Sequence, residues 1–161
     1  PMSNAALESL EGLDGLAEIT GSLTIADCDA LTSLMGLQNL VTAGKNITVK
    51  ANESLVHIDA FMGLTQANGS LEIIDNANLI HVNGLENITG HIPGSLRLNQ
   101  NAALVNIAGV EGITSVQTYV QVIGNTALSQ CHAESIVGDI DAFAICIKQN
   151  VMNTCTEPFG C

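Results

Sequence analysis

Leucine returns in this chain at a nearly fixed interval. Leu7, Leu31, Leu55, Leu79, Leu104 and Leu128 stand 24, 24, 24, 25 and 24 residues apart, and the single extra residue falls near His91-Ile92-Pro93. Other apolar columns keep the same step, among them Leu23, Ile47, Leu71, Leu96, Val120 and Ile25, Val49, Ile73, Leu98, Val122. A column through Leu13, Leu37, Phe61, Leu85 and Val110 places a lone ring in an aliphatic series, where it reads as core. Such a period marks a chain built of units that cannot bury their own apolar faces. Stacking buries them continuously, so about three or more units are needed.

Each unit reads roughly G-x-L-x-I-x-x-N-x-x-L-x-x-L-x-G-L-x-x-L. The L-x-I piece alternates with period 2, which is a strand with two side chains inward and one outward. Leucines three apart then turn corners instead of extending a helix. Five full units and a partial sixth predict a mainly β solenoid. Composition agrees, because 47% of residues are hydrophobic while only 2% are aromatic and none is Trp. The core must therefore be aliphatic, which suits stacked layers. A length of 161 residues fits one domain, with repeats over 1–130 and a C-terminal cap over 131–161.

One column is polar: Asn4, Cys28, Asn52, Asn76, Asn101 and Asn125. A buried amide both donates and accepts, so it can satisfy backbone groups in its own and neighbouring turns. These six are read as a structural ladder, with Cys28 as a small substitute. Gly12, Gly36, Gly84 and Gly109 recur where a corner is expected to need unusual dihedrals.

The units G-S-L-T-I-A-D-C-D-A-L-T-S-L-M-G-L-Q-N-L, from Gly21, and G-S-L-E-I-I-D-N-A-N-L, from Gly69, resemble receptor L-domain repeats. The resemblance covers about residues 4–130. It implies a right-handed parallel β-helix, related to leucine-rich repeats, of about six 24-residue turns. It also implies secretion or surface display and non-catalytic recognition. Microbial members of that family are similar in closing with a helix and cysteines.

Four of the five cysteines, Cys131, Cys146, Cys155 and Cys161, lie after the last leucine of the series. Helical spacing within residues 132–140 and a strand-like Ala144-Ile145-Cys146-Ile147 predict a small cap over the open end, which an edge-exposing stack requires. An even set of four predicts two disulfides in an oxidising compartment. Three pairings are possible, and Cys131–Cys155 with Cys146–Cys161 is favoured. A zinc site near His132 is the rival, but Cys-x2-Cys spacing is absent. Sequons at Asn46, Asn52, Asn68 and Asn87 are compatible with secretion, although Asn52 belongs to the ladder.

The outward residues of the strands give the column Thr24, Thr48, Glu72, Arg97, Gln121, flanked by Tyr119. These six are the candidate contacts for a protein or glycan partner, because regularly spaced side chains on a sheet make an extended platform. A second candidate face runs through Ala17, Val41, Thr65, Thr89 and Thr114. Evenly spaced hydroxyls there would suit ice binding, the alternative function. His57 and His81 share a column one unit apart, but two imidazoles without a third ligand make a poor metal site, so no metal is expected.

Function classes narrow further. A formal charge of −12 disfavours nucleic acid and anionic membrane surfaces. No run approaches the roughly 18 apolar residues of a spanning helix. No nucleophile elbow, phosphate loop or zinc-protease motif is present, and the strand column holds a single carboxylate. The expectation is a binding module without a cofactor, not an enzyme.

Overall fold

The computed structural model describes residues 4–151. The chain is mainly β, and its strands pair in parallel throughout. The principal sheet runs β10-β9-β8-β6-β4-β2, with β2 at Leu23–Ala26, β4 at Ile47–Lys50, β6 at Leu71–Ile74, β8 at Leu96–Asn99, β9 at Ile113–Ile123 and β10 at Asp141–Lys148. β7 (Gly90–Ile92) pairs with β9 beside this path. A second sheet joins β1 (Glu18–Ile19), β3 (Thr42–Ala43) and β5 (Gln66–Ala67).

Register follows the sequence period directly. Leu23 faces Ile47, and Ile47 faces Leu71. Leu71 then faces Leu96 across the 25-residue interval, and Leu96 faces Val120. Because equivalent residues pair, each inward column becomes a continuous apolar file. Leu31, Leu55, Leu79, Leu104 and Leu128 are all fully buried, as is Phe61. At about 25 cal/mol per Å2 of apolar area, such files are the dominant favourable contribution to folding. Short 3-10 turns at Asp59–Gly63, Asn83–Leu85 and Ala108–Val110 stack at one corner, where the leucines spaced by three are found.

Two features of the corners differ from expectation. Gly12 and Gly36 do have positive φ (99° and 112°), but among the described residues Gly84 and Gly109 do not. What excludes a side chain there is proximity. A Cβ on Gly84 would lie 2.0 Å from the Ile58 carbonyl oxygen, and one on Gly109 equally close to that of Val82. The left-handed conformation instead recurs just before the ladder position, at Asp27, Ala51, Asp75, Gln100, Gly124 and Gln149. Only one of these is glycine, so the corner carries a conformational cost of about 1–2 kcal/mol at each of the others.

The repeat also continues past Leu128. Helix α1 (Gln130–Val137), capped by the Ser129 side chain, occupies the place of a 3-10 corner. The chain then returns as β10, which pairs with β9 through Ile145 opposite Val120 and Ile147 opposite Val122. The expected cap is thus a helix followed by one more strand in register. Cys131 lies in α1 and Cys146 in β10, and neither is among the free cysteines of the described residues. Cys155 and Cys161 lie outside the described residues, and the expected pairings with them.

Candidate functional site

The ladder is the scaffold on which any surface site is held. Asn52 Oδ1 accepts from the Cys28 N–H at 3.1 Å, and the pattern repeats from Asn76 to Asn52 (3.2 Å), Asn101 to Asn76 (3.0 Å) and Asn125 to Asn101 (2.9 Å). Each side-chain amide also donates to a carbonyl of the preceding turn, such as Asn76 Nδ2 to Val49 O at 3.0 Å. All four asparagines are fully buried. A fifth, Asn150, accepts from the Asn125 N–H at 3.0 Å and donates to Val122 O at 2.9 Å.

Asn4 differs. It is exposed, and its own N–H donates to Asp27 O at 3.0 Å. The turn above it presents Cys28, which has no amide oxygen to accept that N–H. The Cys28 thiol donates to Ala26 O at 3.3 Å, within its own turn. Burial, reinforced by the Asp27 carboxylate, pushes the Cys28 thiol above its ordinary pKa, so it remains protonated.

The outward row on the principal sheet is contiguous. Thr24 faces Thr48, Thr48 faces Glu72, Glu72 faces Arg97, and Arg97 faces Gln121. Backbone pairing therefore fixes one side chain per strand, about 4.8 Å from the next. The row is locked by its own chemistry. Thr48 Oγ1 donates to Glu72 Oε2 at 3.4 Å, and Arg97 Nη1 lies 3.3 Å from Glu72 Oε1. The Arg97 guanidinium carbon stands 4.9 Å from the centre of the Tyr119 ring, a cation–π contact. Gln121 accepts from Asn99 Nδ2 at 3.2 Å. The Glu72–Arg97 pair is partly solvated and contributes well under about 1 kcal/mol of stability, but together with Tyr119 it fixes the side-chain geometry.

The alternative face is less regular. Ala17, Val41, Thr65, Thr89 and Thr114 are all exposed, and Val41 and Thr65 each donate a backbone N–H to the residue one turn below. Gly90 pairs with Ile113, however, and His91 with Ser115, so the register skips Thr114. Only three of the five residues carry a hydroxyl, and the last of them sits at an irregularity.

A third cluster was not foreseen in full. His57 and His81 stack with ring centroids 5.2 Å apart, and Asp59 joins them with Oδ1 3.7 Å from His81 Nδ1. One ligand atom from each residue lies within 4.8 Å of the other two. Of the sequons, Asn52 is fully buried, while Asn46, Asn68 and Asn87 are exposed. No helix among the described residues is long and apolar enough to cross a membrane. Comparison of the chain with family models, with curated proteins and with solved structures found no match.

Proposed function

We propose that the chain is a non-catalytic recognition module, secreted or displayed on a cell surface, that presents a rigid parallel-sheet platform to a protein or glycan partner. In this reading the stacked turns form a right-handed β-solenoid of the receptor L-domain kind. Two disulfides among Cys131, Cys146, Cys155 and Cys161 tie down its C-terminal end. The observation that carries the proposal is the contiguous row Thr24, Thr48, Glu72, Arg97, Gln121 with Arg97 packed on Tyr119. A surface whose side chains are already held loses little conformational entropy on binding, which is what rigid presentation contributes.

The test is a screen of immobilised glycans and cell-surface proteins against the chain and its Arg97→Ala and Tyr119→Ala variants. The proposal expects a partner whose affinity falls at least about tenfold in both variants, a loss of roughly 1.4 kcal/mol, with the melting temperature unchanged. A partner that binds both variants like the parent protein would place the contact elsewhere.

Ice binding is the second reading, favoured only by the exposure of Thr65, Thr89 and Thr114. Slow freezing of a dilute solution separates the two. Enrichment in ice, abolished by a bulky residue at Thr89 but not at Thr24, supports the ice face. Exclusion from ice removes it.

A further inference from the structure

We propose that His57, Asp59 and His81 form a binding site for a divalent transition ion of the Zn2+, Co2+, Ni2+ or Cu2+ class. The backbone assembles the site across two turns. His57 bridges to Ser33 and His81 to Asn106, and the Ile80 N–H donates to Val56 O at 3.3 Å, setting the two histidine segments side by side. Asp59 lies two residues beyond His57, as the first residue of the 3-10 turn Asp59–Gly63, with its carboxylate beside the His81 ring. Its carboxylate thereby supplies the third ligand that a histidine column alone lacks.

The polar chemistry is unfinished without a ligand. His81 Nδ1 is buried and has no hydrogen-bond partner, and its 3.7 Å separation from Asp59 Oδ1 is too long for one. That separation is close to the spacing of about 3.4 Å between neighbouring ligands around a four-coordinate ion with bonds of about 2.0–2.1 Å. Asp59 and His57 are exposed, so small rotations at the surface close the remaining distance.

The next residue along the column is occupied. Asn106 Oδ1 already accepts from the Ala108 N–H at 2.8 Å and contacts His132 Nε2 at 3.2 Å. Three protein ligands therefore leave a coordination position to solvent or to a donor on another molecule. Two imidazoles and one carboxylate select borderline transition ions over Ca2+ and Mg2+, which take mainly oxygen ligands.

The test is calorimetric titration of the full chain with zinc sulfate, repeated with calcium chloride, alongside His57→Gln, Asp59→Asn and His81→Gln. His91→Gln serves as a histidine control away from the cluster. The expected result is saturable binding of a single equivalent of Zn2+, no comparable uptake of Ca2+, and an affinity at least about tenfold weaker in each of the three variants. Zn2+ should also raise the melting temperature of the parent protein, since ligands on two successive turns clamp them, and this rise should vanish in His57→Gln. Because His57 is exposed, that variant tests the site without disturbing packing. Absence of Zn2+ binding, binding that survives both His57→Gln and His81→Gln, or an equal loss in His91→Gln would overturn the assignment.

Discussion

The first turn and the interior turns carry the same leucine and asparagine columns, yet they are packed differently. Leu7 is 36% exposed and Leu13 43%, whereas their equivalents Leu31 and Leu37 are 0% and 1% exposed. Asn4 is exposed, while Asn52, Asn76, Asn101 and Asn125 are sealed and reach into the turn before them. A column residue is thus given its role by its neighbours above and below. The same letter contributes heavily in the middle of the stack and little at its end.

Truncation should expose this contrast most strongly. Leu79→Ala is expected to destabilise by about 2–5 kcal/mol, because the file on both sides of it is closed and a cavity remains. The same change at Leu7 is expected to cost less than about 1 kcal/mol. Urea denaturation of the two variants measures the difference, and equal losses would break the comparison.

The ladder gives the next largest effect. Asn76→Leu leaves the Asn52 N–H and the Val49 carbonyl without their partners, for an expected loss of about 1–3 kcal/mol. Asn4→Leu should fall within about 0.5 kcal/mol of the parent protein. Thermal melts read both.

A gain is expected at the left-handed corner. Ala51 has φ 52° just before Asn52, at the repeat position that Gly124 fills just before Asn125. Ala51→Gly should raise stability by about 0.5–1 kcal/mol, the conformational relief exceeding the added entropy of the unfolded chain.

The smallest effect lies at the first turn. The Gly12 N–H donates to Asp14 and the Gln38 side chain hydrogen-bonds to it, and these two contacts, in that order, hold the Asp14 carboxyl below the ordinary carboxylate range. A carboxyl depressed in the folded protein adds stability above its unfolded pKa and loses it as pH falls through the folded value. Gln38→Ala should therefore move the Asp14 titration upward only in part, because the larger contribution from Gly12 persists. Carboxyl-carbon NMR titration would show this, and an unmoved midpoint would remove Gln38 from the account.

The period of the apolar columns made the strand register and the outward row legible residue by residue. From Thr24 to Gln121, every pairing in that row follows from adding 24 or 25. Asn150 escaped because α1 replaces the leucine-bearing corner after Leu128, removing the signal on which the repeat is recognised. Its trace was nevertheless present, since Ile147-x-x-Asn150 repeats the spacing of Ile73-x-x-Asn76 and Leu98-x-x-Asn101. Asp59 escaped for another reason: reading down one column finds His57 and His81 but passes over a ligand two residues to the side. The left-handed corner leaves little mark in sequence, because Asp, Ala, Gln and Gly all fill it under the hold of the surrounding hydrogen bonds. The glycines were readable as required, but the reason at Gly84 and Gly109 is the backbone of the preceding turn, which only packing reveals.

A continuous asparagine ladder makes the interior of the stack more secure than its first turn. Residue-resolved amide hydrogen exchange tests it most directly. The backbone N–H groups of Asn52, Asn76 and Asn101, each accepted by the next asparagine, are expected to exchange among the slowest in the chain, with Leu7 and Leu13 exchanging far faster. Equal protection of the first turn and the ladder, or fast exchange at Asn76, would contradict it.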